Sequence, residues 1–226
     1  MVDFLSRYDL LGAFWVTVRL TVFSAIGSLV WGTVLAGMRV SPVPVMRAFG
    51  TAYVNLVRNT PLTLIILGTS LGLYSTLGLA LADETSGTFL KDNNFRLAVL
   101  GFVAYTSTFV CESLRSGINT VPVGQAEAAR ALGLRFSQTL WIVVLPQAFR
   151  AVIAPLASVL IALTKNTTVA SAIGVAEASL LMSEMIENEA DKLFLIFLAI
   201  AAGFVVLTLP TGLFLGWVAK KVAVKR

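Results

Sequence analysis

The chain has 226 residues, 57% of them hydrophobic and only 13% charged, with a formal net charge of +5 and a mean hydropathy of +0.87. A water-soluble domain of this length draws about a quarter of its residues from the charged types, so an ordinary soluble globule is excluded and lipid is the expected main solvent. There is no histidine, and Cys111 is the single cysteine. An internal disulfide and Ser-His and Cys-His nucleophiles are excluded with them, and the usual metal ligands become scarce.

In chain order, Asp3, Arg7 and Asp9 precede a long apolar run with no small-residue cleavage site, so no cleavable signal peptide is expected. A membrane-crossing helix needs roughly 20 mostly apolar residues. Five such spans are predicted: residues 20–38, 61–82, 97–111, 151–164 and 193–218. The third extends to Leu114 if Glu112 faces the bundle, and the fourth is lengthened by residues 142–145. Pro42 and Pro44 break the chain after the first span, and residues 83–94 form a polar loop with Gly87, Asn93 and Asn94 as turn material. Cys111, in an apolar run, reads as inert filler. No internal repeat is evident.

Charge sets the orientation. Residues 39–59, 115–150 and 220–226 placed on one side gather Arg39, Arg47, Arg58, Arg115, Arg130, Arg135, Arg150, Lys220, Lys221, Lys225 and Arg226, against only Glu112 and Glu127. The positive side is expected to be cytoplasmic. Five spans then leave the N-terminus outside and the C-terminus inside. The outer loops hold Asp83, Glu84, Asp92, Glu177, Glu184, Glu187, Glu189 and Asp191, and residues 184–191 read as a solvated outer face that could also meet a binding protein.

Residues 120–146 read TVPVGQAEAARALGLRFSQTLWIVVLP. Thr120 is expected as an N-cap, with Pro122 tolerated in the first turn. Residues 125–132 are Ala-rich and helix-favouring. Gly133 fits the position after a helix end, where positive φ is required, and Ser137 is expected to cap the next helix. Ala126, Ala128, Ala129 and Ala131 give a smooth surface, while Glu127 and Arg130 can pair on one face. On these residues alone the segment is either a solvated connector or a docking element.

Glu127-Ala128-Ala129, then Gly133, then Leu145-Pro146 resembles the EAA motif of ABC importer permeases, with Val143 where the family usually has Ile. Gln125 and Pro122 match the polar amino-acid subgroup of that family. The resemblance covers nearly the whole chain. Residues 17–24 are similar to the family's first-span opening, and NLVRNTPL (residues 55–62) to its RGTP segment with Asn59 for Gly. Tyr105, Glu112, Arg115 and Gly117 resemble its AYxxExxRxG pattern, although residues 106–110 depart from the usual small types. LTKNTTVA (residues 163–170) resembles its KDTSL segment with Asn166 for Asp. Residues 88–120 and 163–181 are most similar to glutamate-uptake permeases of actinobacterial type.

The resemblance implies an all-α membrane protein with five transmembrane helices, the type I ABC importer transmembrane domain, spanning residues 16–218. An outer segment 1–15 and a basic cytoplasmic tail 219–226 flank it. It implies a coupling helix, carried by Gln125, Glu127, Ala128, Ala129, Gly133, Leu145 and Pro146, that enters a groove on a separate ATPase. It also implies a bacterial cytoplasmic-membrane importer of glutamate or of another polar amino acid such as glutamine, aspartate or arginine. Its partners would be an ATPase subunit pair, a second permease subunit (a paralogue or a second copy), a lipoprotein or periplasmic binding protein, and membrane lipid, with no nucleic acid. The chain has no GxxxxGK[ST] phosphate cradle, so it is expected to hold no cofactor and not to be an enzyme, with ATP and Mg on the partner.

Ionisable residues within spans face the bundle interior or water. The substrate-path candidates are Arg19, Glu112, Arg115 and Lys165, with Asn166, Thr167 and Thr168 beside it. Each has a plainer alternative: Arg19 snorkelling to the outer interface, Glu112 pairing with Arg115, Lys165 anchoring a helix end. Pro146 and Pro155 can kink the fourth run, as hinges or as fixed bends. A secondary transporter is the competing reading, but it lacks internal repeats and gives the Ala-rich helix no role. An intramembrane enzyme lacks histidine and paired intramembrane carboxylates.

Overall fold

A computed structural model describes residues 5–222; Asp3, Lys225 and Arg226, and so the outermost parts of both flanking segments, lie outside them. Asp9 starts the first long helix, α1 (Leu10–Val40), by accepting the Gly12 amide on its side chain at 2.8 Å. After Ser41 the chain turns, and Pro44, whose missing N–H is harmless in a first turn, opens α2 (Pro44–Arg58). Helix α3 (Leu62–Leu67) continues as a π-helix over Gly68–Thr76. Then come α4 (Phe89–Ile118) and the short α5 (Val123–Ala131). The next run, α6, has three stretches: Phe136–Gln138, a π-helix over Thr139–Val144, and Leu145–Ala151. Helix α7 (Ile153–Asn166) tightens to a 3-10 helix over Thr167–Ile173, and α8 (Ala178–Asn188) and α9 (Leu193–Val222) follow. No strand occurs among the described residues.

Among the described residues, four helices are long and apolar enough to cross a membrane: Leu10–Val40, Phe89–Ile118, Ile153–Ile173 and Ala190–Lys221. The expected second span is different in kind. It is the pair α2 and α3, bent by 106° across Asn59, Thr60 and Pro61. Packing shows that the pair makes one crossing. Gly50 of α2 lies against Arg39 and Met38 at the end of α1. The Tyr53 hydroxyl donates to the Ala104 carbonyl, midway along α4, at 3.0 Å. Ile66 and Thr69 lie against Gly101, and Tyr74 meets Phe89 at the start of α4. The sequence reading placed residues 39–59 in a connecting loop and began the span at 61. Proline at 61 disfavours helix at the residue before it, so the break falls inside the crossing rather than at its edge. The crossing also ends at Thr76, short of residue 82.

The core is built on two parallel helices. Gly27 of α1 faces Val103 of α4, and Gly32 faces Val110 and the Ser107 carbonyl. Ser24, Ser28, Thr33 and Ala36 are buried on α1 and Gly101, Ser107 and Cys111 on α4. Small residues let two backbones approach where lipid offers no hydrophobic drive for association. Leu20, Ile66, Leu97, Phe102 and Leu163 fill one end of this seam; Leu35, Val54, Val110, Leu114 and Val152 fill the other. Cys111 is buried there, with its Sγ 3.9 Å from the Arg39 guanidinium.

The fourth crossing is interrupted twice. Pro146 cannot donate to a carbonyl four residues back, and the helix before it widens into a π-turn in which the Leu145 amide reaches Leu140. Pro155 has the same effect on Ala151, and the chain leaves helical geometry at Val152 (φ −115°, ψ 14°). Gly117 of α4 packs on the Ala148 carbonyl and Val152 at that break. Helix α9 is mostly exposed, as a helix facing lipid is.

Candidate functional site

Helix α5 stands between α4 and α6 at the end of the bundle that carries Arg39 and Glu112. Thr120 does not cap it. Its hydroxyl donates back to the Gly117 carbonyl at 2.7 Å, sealing the end of α4, and Pro122 occupies the cap position without a side-chain bond. The other end is closed as expected. Gly133 has φ +87°, its amide bonds the Arg130 carbonyl at 2.9 Å, and the Leu134 amide bonds Ala129 at 3.2 Å. This is a Schellman closure, which favours glycine at its left-handed residue. The following helix is capped from Arg135, whose amide donates to the Gln138 side chain at 2.9 Å; Ser137 lies within the first turn instead.

The motif divides by burial. Ala129 is buried, and Ala126 packs against the cluster of Leu140, Val144 and Leu145, as do Phe136 and Ile118. Leu145 is thus an anchor beneath the helix. Gln125 is held by Gln147, which also donates to the Val143 carbonyl at 2.8 Å. Glu127, Ala128, Arg130 and Ala131 are exposed, as are Gly133 and Pro146. Val123 and Leu132 are 71% and 82% exposed at the two ends of the helix. Glu127 and Arg130 form no ion pair among the described residues, so the expected pairing is absent and both charges face outward.

Glu112 and Arg115 do pair, at 3.9 Å, but Glu112 has a closer partner in Arg39, whose Nη1 donates to its carboxylate. The Arg39 side chain is only 8% exposed. The sequence reading took Arg39 as a topology charge; its buried partner across 73 positions was not readable from local spacing. Arg39, Arg47 and Arg115 line one cavity of about 680 Å³ with Thr51 and Asn55.

The remaining path candidates do not form one site. Arg19 is exposed and lies over the Phe95 ring at 4.9 Å, in a cavity shared with Asp92 and Arg96. Lys165 is exposed at the end of α7. Thr167 is fully buried, its hydroxyl spent on the Thr164 carbonyl at 2.7 Å, and Thr168 bonds the Lys165 carbonyl at 2.9 Å. Asn166 is half-buried. None of these four residues lines the cavities around Arg19. Sequence reasoning counted Glu177 among outer-loop acids. It is fully buried, capping α8 through the Ser179 and Leu180 amides at 2.8 and 3.0 Å. Burial pushes it up to about 7, against the lowering effect of those bonds. No group of three or more metal-ligating side chains occurs among the described residues.

Residues 14–224 match the family described as binding-protein-dependent transport system inner membrane component. The chain is 65% identical over 218 residues to the glutamate transport system permease protein GluC of Corynebacterium efficiens, covering 96% of each chain. It is 63% identical to GluC of Corynebacterium glutamicum over the same share. The probable glutamine ABC transporter permease GlnM of Bacillus subtilis is 32% identical, with 98% of this chain and 95% of that one covered. Among solved structures, an amino acid ABC transporter crystallised with histidines superposes with TM-score 0.79 at 25% identity, covering 98% and 99% of the two chains. The methionine transporter MetNI in an inward-facing form superposes with TM-score 0.71 at 18% identity over 96% of each and shares the fold. A five-crossing bundle with a short exposed helix between its third and fourth crossings, matched along nearly its whole length, belongs to the binding-protein-dependent inner-membrane components, the membrane-spanning permeases of ATP-binding cassette importers.

Proposed function

We propose that this permease imports glutamate across a bacterial cytoplasmic membrane, driven by ATP hydrolysis on separate ATPase subunits that dock on α5. The observation that carries this reading is the exposed face of α5. Glu127 and Ala128 stand outward between Val123 and Leu132, on a helix clamped below by Ala129 and closed by Gly133. Exposed apolar side chains at both ends of a short charged helix support docking over a purely solvated connector. ATP and Mg belong to the ATPase pair. The end of the bundle bearing α5, Arg39 and the basic tail 219–226 is cytoplasmic, and the N-terminal segment 1–15 lies outside. A second permease subunit, a paralogue, completes the pathway, and a lipoprotein or periplasmic binding protein delivers the solute. Glutamate as cargo is supported by the 65% and 63% identical permeases named for it.

Two measurements test this. In a deletion strain complemented with this chain, radiolabelled glutamate uptake should exceed that of arginine, glutamine and histidine; equal or greater uptake of any of the three would reject the cargo. Glu127→Ala and Gly133→Pro should insert normally but abolish uptake and uncouple the ATPase. Normal uptake in both would reject the docking role.

A further inference from the structure

Helix α2 carries three distinct faces. Gly50 and Val54 are buried against α1 and α4. Val45, Phe49 and Leu56 are exposed and apolar, at 76%, 50% and 71%, as befits contact with lipid. Between these lies a second exposed face that is polar: Arg47, Thr51, Asn55 and Arg58 recur at helical spacing. A polar stripe on a membrane-crossing helix must meet water or protein, since lipid solvates neither guanidinium nor amide.

The stripe runs from the end of the bundle bearing α5 to the break at Asn59–Pro61. That break lies about half-way through the bundle, because Tyr53 already reaches Ala104, midway along α4. In many secondary transporters, helices interrupted at mid-depth line the solute site, and the same backbone logic applies to an interrupted helix here. At its other end the stripe opens into the cavity of about 680 Å³ lined by Arg39, Arg47 and Arg115. Three guanidinium groups face a single carboxylate, Glu112, which Arg39 largely satisfies. Arg115 remains 44% exposed. Arg47 donates to the Ser41 carbonyl at 2.8 Å and has no carboxylate within ion-pair distance among the described residues. The cavity therefore keeps a net positive charge.

We propose that the polar face of α2, with Arg39 and Arg115, lines a water-filled exit vestibule that attracts the carboxylates of an anionic amino acid leaving the mid-depth break. It rests on the import reading above and adds the residues that favour an anionic cargo on the inner side. Arg47 supplies the least neutralised charge, Arg115 shares Glu112 with Arg39, and Thr51 and Asn55 supply uncharged hydrogen-bonding groups along the way.

The test uses inside-out membrane vesicles containing the assembled transporter, with Thr51→Cys on a Cys111→Ser background. Two thiosulfonate reagents of similar size, one anionic and one cationic, are compared without ATP. With each rate taken relative to that reagent's rate with a free thiol in water, the anionic reagent should label about tenfold faster, a ratio in the range electrostatic focusing gives. Arg47→Gln should lower the ratio several-fold, since Arg39 and Arg115 still outnumber Glu112, and Arg47→Lys should restore it. Millimolar glutamate or aspartate should slow labelling, and glutamine should not. Absence of labelling would mean a dry face and overturn the proposal. A ratio unchanged by Arg47→Gln would also overturn it. So would protection that follows the anionic-lipid content of the bilayer instead of added glutamate, which would make the cavity a phosphate headgroup seat. Labelling needs neither ATP nor uptake, so failure of the import reading appears separately, as lost glutamate uptake in cells.

Discussion

Arg39 and Glu112 join the end of the first crossing to the third, the guanidinium donating to a carboxylate that also faces Arg115 at 3.9 Å. With the Arg39 side chain only 8% exposed, the pair is buried on one side and half open on the other. Such a pair matters through what its loss leaves behind: a desolvated charge without a partner.

Glu112→Ala should therefore destabilise the permease by about 2 kcal/mol, as for loss of a charge-assisted hydrogen bond. Glu112→Asp should cost less, and the exchange Arg39→Glu with Glu112→Arg should recover part of the loss. Thermal unfolding in nanodiscs, followed by tryptophan fluorescence, measures each. An unchanged Tm in Glu112→Ala would show that water already screens the pair.

The α1–α4 seam yields a contrast between two glycines. A Cβ on Gly27 would come 2.5 Å from a Val103 methyl, a side chain that can be shortened. A Cβ on Gly32 would come 2.6 Å from Val110 and 2.8 Å from the Ser107 carbonyl, which is backbone. Both alanine variants should destabilise by about 1–3 kcal/mol through overpacking. Val103→Ala should rescue Gly27→Ala nearly completely, whereas Val110→Ala should rescue Gly32→Ala only in part. Equal rescue at both sites would mean the helices shift apart freely.

What could be read from sequence follows from the range of the physics. The long apolar crossings and the α5 closure at Gly133 depend on composition and on one residue's φ, so they were legible. The break at Asn59–Pro61 was missed because residues 44–58 have a polar face and look like loop when only apolar length is counted. The pairing of Arg39 with Glu112 and the burial of Glu177 depend on residues distant in the chain, and no local pattern encodes them. The caps were misplaced for a smaller reason: Thr120 and Ser137 have the right chemistry for a cap, but the backbone entered each helix two positions away, after Pro122 and Arg135.

Gly133 separates strain from collision. Among the described residues nothing beyond its chain neighbours lies within 4 Å of where a Cβ would stand, so Gly133→Ala meets no obstacle, but its φ of +87° is unfavourable for an L side chain. The variant should lose about 1–2 kcal/mol locally, and Gly133→Asn less, since asparagine tolerates the left-handed region. Uptake should fall in the same order, with ATPase activity less tied to transport. Proteolysis in the segment around residues 131–135 should rise in Gly133→Ala; no rise would place the defect elsewhere.

Glu177 links stability to pH in the direction opposite to most carboxylates. Burial raises it from the usual 4.5 to about 7, and the Ser179 and Leu180 amides offset only part of that rise. The folded state thus binds the proton more tightly than the unfolded chain does. Its stabilising contribution is fully present below about 4.5, declines as pH rises, and is lost above about 7. The difference corresponds to about 3 kcal/mol. Glu177→Gln keeps an acceptor for the α8 amides without a charge to desolvate. The variant should be more stable than the parent at pH 8, and its Tm should be flatter between pH 5 and 8. Parallel pH profiles for the two proteins would mean that Glu177 reaches water. In that case the Ala178 amide bond to the Thr17 hydroxyl at 3.3 Å would be the contact to examine, since it ties α8 to α1 beside the carboxylate.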